Sequence, residues 1–266
     1  MRVAVAGAGG RMGRALVQAV TDTDGLTLAA ATEHGESAFL GNDAGELAGC
    51  GRLEVAITTT IPAAANCEVL IDFTRPEATV ANVRDCLAQG RRLVIGTTGM
   101  DADQRADIEA AAASIPIVWA PNMSTGVNLS LRLIELAARA LGDEVDVEII
   151  EAHHRYKQDA PSGTALRMGQ VVADALGRDL NDCAVYGRQG RGEPRDRQAI
   201  GFETIRAGDI VGEHTVMFAD LGERVEISHR ATSRMTFARG AMRAARWLVN
   251  QPPGLYDMQD VLGLRA

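Results

Sequence analysis

Apolar positions in the first part of the chain alternate between two periods. Arg2–Ala6 is a short apolar run, and after Gly7-Ala8-Gly9-Gly10-Arg11-Met12-Gly13 the residues Leu16, Val17 and Val20 return at helical spacing. This order predicts a strand, a tight glycine turn and a helix. Leu26–Ala31 predicts a second strand that stops at Thr32-Glu33, and Val69–Asp72 predicts a third. Thr74-Arg75-Pro76-Glu77 has the composition of a helix start, with Thr74 as the cap, and Gln89-Gly90 that of its end. Arg92–Ile95 and Ile115–Ala120 predict strands on either side of a helix over Asp101–Ala113. Strands alternating with helices of this length pair in parallel, so the expected fold class is α/β, with a Rossmann-like doubly wound parallel sheet.

The texture then changes. A helix over Gly126–Leu141 is patterned by Leu129, Leu133, Leu136 and Ala140, with Gly142 as its stop. Val145–Ala152 alternates acidic with apolar residues, as a strand with one wet face does, and Ala199–Arg206, Ile210–Ala219 and Val225–Ala231 are also strand-like. A run of strands without regular alternation predicts a second α+β domain with a mostly antiparallel sheet. Gly187–Gln198, rich in Gly and Arg, reads as a solvated mobile loop, and a helix over Phe237–Leu248 precedes a final stretch, Pro252–Leu264.

Composition narrows the class. Of 266 residues, 46% are apolar and 23% charged, which excludes disordered, collagen-like and coiled-coil chains. A net charge of −8 and a pI near 5.2 argue against a nucleic-acid partner, since phosphate affinity requires excess Lys and Arg. No apolar run approaches the roughly 20 residues of a membrane helix, so no membrane partner is expected, and the start of the chain reads as cytosolic without a signal peptide. Cys50, Cys67, Cys86 and Cys183 lack the paired spacing of a zinc site or disulfide framework, so no metal is expected and the thiols read as reduced. Among 27 basic residues Lys157 is the only lysine. Coding bias explains that as well as a need for an ammonium able to release a proton, and only its neighbours separate the two.

Two segments carry the chemistry. Backbone that closes on a pyrophosphate needs glycines where a strand turns into a helix, because side chains would block the approach and helix-terminal N–H groups meet the charge. Gly7, Gly10 and Gly13 have this placement, Gly9 adds room, and Glu33 at the end of the second strand stands where a carboxylate binds adenosine ribose hydroxyls. Glu33 suits NAD, whereas Arg11 and His34 would suit the 2′-phosphate of NADP, so NADH and NADPH both stay open. Gly96-Thr97-Thr98 and Ala120-Pro121-Asn122-Met123 follow later strands, at the carboxyl ends that line the crevice of such a sheet. In the second segment, Glu151-Ala152-His153-His154-Arg155-Tyr156-Lys157 leads through Asp159-Ala160-Pro161-Ser162-Gly163-Thr164 into a helix over Ala165–Leu176. Two histidines and the one lysine supply proton donors and positive charge, which hydride addition to a conjugated imine requires, and the Ser162-Gly163-Thr164 turn offers N–H groups to a carboxylate. His214 and His229 lie in strand-like runs with no clustered partner and read as structural.

These segments bring a resemblance into view. Val3–Gly13 (VAVAGAGGRMG), Ile71–Glu77 (IDFTRPE), Val94–Gly99 (VIGTTG), Glu148–Lys157 (EIIEAHHRYK), Asp159–Leu166 (DAPSGTAL) and Arg206–His214 (RAGDIVGEH) resemble the dihydrodipicolinate reductase family, also described as 4-hydroxy-tetrahydrodipicolinate reductase, across almost the whole chain. The resemblance implies reduction of a small dicarboxylate of lysine and diaminopimelate biosynthesis by NADH or NADPH. It implies that His153 and Lys157 handle protons and that His154, Ser162, Gly163, Thr164 and Arg234 bind substrate. It further implies cofactor contacts at Gly7, Ala8, Gly9, Gly10, Arg11, Met12, Glu33, His34, Gly96, Thr97, Thr98, Ala120, Pro121, Asn122 and Met123. Residues 1–124 and 235–266 would form the dinucleotide domain and 125–234 the substrate and oligomerisation domain of a cytoplasmic homotetramer. Two departures stand out: His34 replaces an Arg of some members, and Tyr156 replaces a third His. Two other readings stay open from the residues alone. A semialdehyde dehydrogenase would need an activated cysteine, and none lies in the His-rich segment; a non-catalytic dinucleotide sensor would need the glycine turn but no proton donors.

Overall fold

The computed structural model describes residues 1–265, which divide into two compact units, Met1–Thr125 with the residues from Arg234 on, and Gly126–Ser233. In the first unit the chain runs β1 (Arg2–Ala6), α1 (Arg11–Thr21), β2 (Thr27–Thr32), α2 (Ala44–Ala48), β3 (Ile57–Thr58), β4 (Val69–Asp72), α3 (Pro76–Gln89), β5 (Arg92–Ile95), α4 (Ala102–Ala112) and β6 (Pro116–Trp119). After α5 (Thr125–Leu141) the second unit contains β7 (Asp146–His153), α6 (Gly163–Leu176), α7 (Leu180–Cys183), β8 (Ala184–Tyr186), β9 (Ile200–Arg206), β10 (Gly212–Ala219) and β11 (Arg224–Ala231). The chain then re-enters the first unit as α8 (Met235–Leu248), β12 (Gly254–Tyr256) and α9 (Met258–Leu262).

The seven strands of the first sheet lie in the order β12-β6-β5-β4-β1-β2-β3, paired in parallel throughout, as the strand–helix alternation predicts. A sheet covered on both faces buries every side chain of its central strands, and the four residues of β4 are all buried. One face packs Val3, Val5, Val69 and Ile71 against α1 and α8, and the other packs Ala4, Leu70, Leu93 and Ile117 with Ile108 of α4. α8 lies against α1, which places Arg234, its N-cap, in the first unit instead of the second, where the sequence boundary had put it. Thr74 is not the cap of α3. Arg75 takes that position and Pro76 the first turn, because the Thr74 hydroxyl is drawn 2.6 Å from the buried Asp72 carboxylate.

The second sheet has the order β11-β10-β7-β9-β8 and is mixed, not mostly antiparallel. β10 is antiparallel to β7 and β11, whereas β7–β9 and β9–β8 are parallel. The reason is α6: a helix between β7 and β9 returns the chain in its original direction. Three further expectations change. Leu129, Leu133 and Leu136 of α5 face outward, and its buried stripe is Val127, Ile134 and Ala138. The loop after β8 is tethered, since Arg188 and Arg195 bond Glu148 at 2.8–3.0 Å and Arg195 also reaches Asp146. The acidic residues of β7 do not share one wet face: Asp146 and Glu148 do, but Glu151 falls on the buried face with Val147 and Ile149 and is 1% exposed. Among the described residues, no helix is long and apolar enough to cross a membrane.

Candidate active site

At the carboxyl end of β1 the chain turns on Gly7, whose φ of +67° is a conformation few L side chains adopt. Gly10 N–H closes the turn on Gly7 O at 3.0 Å, and α1 starts directly after it. A Cβ at Gly13 would stand 1.9 Å from Gly7 O, so helix and turn are in direct backbone contact. Neither a side-chain cap nor an acidic residue occupies the first turn of α1, and Arg11 there is exposed. Glu33, just past β2, accepts Gly9 N–H at 2.9 Å and His34 N–H at 3.2 Å, while the His34 ring is exposed. An uncapped helix start on a glycine turn, with a carboxylate bracketing it, fits the pyrophosphate and adenosine ribose of a dinucleotide.

The neighbouring strand ends carry a polar network. Buried Asp72 at the end of β4 accepts Thr74 N–H at 2.8 Å, the Thr74 hydroxyl and Asn82 Nδ2–H at 2.9 Å. Thr97, also buried, accepts the Thr79 hydroxyl at 2.9 Å, and its carbonyl takes Trp119 Nε1–H. The Gly96–Thr98 loop is thus pinned from below, with Thr98 exposed. In the other loop Ala120 and Met123 are core residues, Pro121 is exposed, and Asn122 accepts Ser124 N–H.

The second unit assembles its chemistry on one face of its sheet. Register sets Thr204, Glu151, His214 and His229 in a row across β9, β7, β10 and β11, and sets His153 beside Arg206 in the next row. Glu151 accepts His153 Nδ1–H at 2.5 Å, Ser162 N–H at 3.0 Å, and both Arg206 Nη groups at 2.7 and 2.8 Å. Burial alone would raise its carboxyl, but the Arg206 and His153 hydrogen bonds outweigh this and hold it below the usual carboxylate range. Burial lowers His153, partly offset by Glu151, so the ring is neutral near pH 7. Its centroid lies 5.1 Å from that of His214, which burial, reinforced by His153, pushes down to about 4. His214 Nε2 shares a 2.9 Å hydrogen bond with Ser162 Oγ, the N-cap of α6. Lys157 pairs with Asp159 at 2.8 Å, and this contact holds Asp159 low despite some opposing burial.

The structure therefore brings His153, Lys157 and Ser162–Thr164 together at the end of β7 and the start of α6, with His154 half-buried beside them and the departing Tyr156 exposed. Arg234 stands in the other unit with the glycine turn, Glu33 and the strand-end loops. Sequence reasoning passed over Glu151, Arg206 and His214. His214 is no isolated structural residue, since it contacts both Ser162 and His153. The signal that could have found these residues is parity: once β7, β9 and β10 are aligned, 151, 153, 204, 206 and 214 share one face. All four cysteines are free, and among the described residues no cluster of His, Cys, Asp or Glu could hold a metal ion.

Comparison with known proteins covers the whole chain. The family model described as dihydrodipicolinate reductase, N-terminus, matches residues 1–123, and that described as dihydrodipicolinate reductase, C-terminus, matches residues 126–262. A 4-hydroxy-tetrahydrodipicolinate reductase of Alkalilimnicola ehrlichii is 64% identical over 264 residues, 99% of each chain. A dipicolinate-bound dihydrodipicolinate reductase from Paenisporosarcina sp. TG-14 shares the fold with a TM-score of 0.75 at 24% identity, over 98% of each chain. An amine dehydrogenase from Mycobacterium smegmatis shares it more distantly, with a TM-score of 0.58 at 15% identity over 96% of this chain and 94% of the other. Matched by both family models from its glycine turn to its last helix, this chain belongs to the dihydrodipicolinate reductase family.

Proposed function

We propose that this protein reduces 4-hydroxy-tetrahydrodipicolinate to tetrahydrodipicolinate with NADH or NADPH, a step of lysine and diaminopimelate biosynthesis. The observation that carries this reading is the 64% identity, over 99% of both chains, to a reductase of that name. The residues supply what the chemistry needs. A reduced nicotinamide, when bound, supplies the hydride. Gly7–Met12 and Glu33 would hold its pyrophosphate and adenosine ribose, with Arg11 and His34 beside them, and Gly96–Thr98 and Ala120–Met123 would line its nicotinamide end. Ser162, Gly163 and Thr164 at the start of α6, together with His154 and Arg234, bind the two carboxylates of the substrate. Hydride addition leaves negative charge on the substrate, and Lys157 as an ammonium, with His153, returns the proton.

Residues 1–125 and those from 234 on act as the cofactor domain and residues 126–233 as the substrate and self-association domain. A homotetramer joined through the second sheet is supported by exposed Ile205, with half-buried Ile150 and Met217, on the face turned from α6. Sedimentation of the native protein tests it, and a monomer at micromolar concentration would reject it. Four free thiols suit the reducing cytoplasm.

The activity is tested by forming the aspartate semialdehyde–pyruvate condensation product in situ with its synthase and following NADH and NADPH absorbance separately. Oxidation that depends on the condensation product is the expected result, and the ratio of the two rates reports what Glu33 and His34 select. A folded protein that binds both nucleotides yet oxidises neither is a sensor, not this reductase.

A further inference from the structure

The Glu151 carboxylate is 1% exposed, and a buried charge persists only when its lone pairs are filled. Here they are: Oε1 takes Ser162 N–H and Arg206 Nη2, and Oε2 takes Arg206 Nη1 and His153 Nδ1. The fork of Arg206 prevents the carboxylate from rotating away. A carboxylate accepts only, so the 2.5 Å contact requires the proton on His153 Nδ1, and in the neutral ring that burial favours Nε2 then carries none. Gly212 lies next to this atom, and a Cβ there would sit 3.0 Å from Nε2, so the working nitrogen depends on a missing side chain. The charged and titratable groups around the ring are Glu151 on β7, Arg206 on β9, His214 on β10, and Lys157 with Asp159 in the loop before α6.

We propose that Glu151, clamped by Arg206, is a positioning residue that locks His153 in its Nδ1–H tautomer and so makes Nε2 the atom that exchanges a proton with the substrate. This rests on the reading of His153 as a proton-handling residue and gives that role an atom. Glu151 touches no reacting group; it acts through the imidazole, as the orienting carboxylate does in a Ser-His-Asp triad.

Nitrogen-15 spectra of histidine-labelled protein test the lock directly. Wild type is expected to hold His153 as a single Nδ1–H tautomer near pH 7, and Glu151→Gln to mix the two tautomers. The same variant is expected to lose about 100-fold in kcat with KM changed less than about threefold. The pH limb of kcat that disappears in His153→Gln should move to lower pH in Glu151→Gln, because the anion favouring the imidazolium is gone. Glu151→Asp should recover part of kcat and of the limb position. If the unpaired Arg206 guanidinium prevents folding of Glu151→Gln, the double variant Glu151→Gln/Arg206→Met removes both charges and is read the same way. A single Nδ1–H tautomer in either folded variant, or an unmoved limb, overturns the positioning role. Absence of wild-type turnover would instead reject the proposed function and leave the tautomer measurement standing on its own.

Discussion

Each unit buries a carboxylate at or near the end of a strand, and the two are stabilised by different means. Asp72 closes β4 and is surrounded by neutral donors: a backbone N–H, a threonine hydroxyl and an asparagine amide. Glu151 lies near the end of β7 against a guanidinium and an imidazole. Neutral donors fix geometry without adding a second charge, so the Asp72 network is a scaffold under the Gly96–Thr98 loop. A cation and a histidine couple the carboxylate to protons, so the Glu151 cluster ties local geometry to pH. The same residue class thus builds a shelf in one unit and a charged, titratable cluster in the other.

Four further experiments can break or sharpen this contrast. The largest effect is expected at Lys157, where Lys157→Arg keeps the cation but loses its acidity and should lower kcat by about 10³-fold; turnover equal to wild type would exclude proton donation by Lys157. Next comes pH-dependent stability. His214 has a folded pKa of about 4 against 6.5, so the unfolded chain binds more protons between those values and the fold weakens as pH falls through that window. The contribution is on the order of 3 kcal/mol, and His214→Gln should flatten that part of a denaturation-versus-pH curve. Glu151, held low in the fold, adds a second loss that begins as pH falls below its ordinary value of 4.5. A curve flat from pH 7 to 4 would contradict the His214 assignment.

A smaller effect is expected at Asp72. Asp72→Asn leaves donors unmatched at a buried site and should cost about 2 kcal/mol, seen as a lower Tm, with the kcat pH profile unmoved. A shifted profile would mean that the two carboxylates are not so different. The smallest effect is expected at Glu33, where Glu33→Ala should raise the KM for NADH about fivefold, roughly 1 kcal/mol, at unchanged kcat. A larger rise for NADPH than for NADH would show that Glu33 does not favour NADH.

Much of the first unit was legible because a doubly wound sheet writes its order into local patterns. β1, β4 and β5 have the bounds that the apolar runs suggested, and the glycine turn sits between β1 and α1. α2, β3 and β8 were not legible, since strands of two and three residues and a helix of barely more than one turn show no repeat and no apolar run of their own. The leucines of α5 misled because they repeat at helical spacing on the outward face. Arg206 and His214 were quoted within a motif, yet nothing local ties them to residues more than fifty positions away.

The sequence by itself determined the strand–helix alternation, the glycine turn, and the joining of His153, Lys157 and the Ser162-Gly163-Thr164 turn in one segment, because each depends on residues close in the chain. Only the tertiary structure decided the mixed second sheet, the burial of Glu151 and its pairing with Arg206, and the contact of His214 with Ser162. Those depend on strand register, in which a shift of one residue turns every side chain to the opposite face, and register is set by packing across the whole sheet.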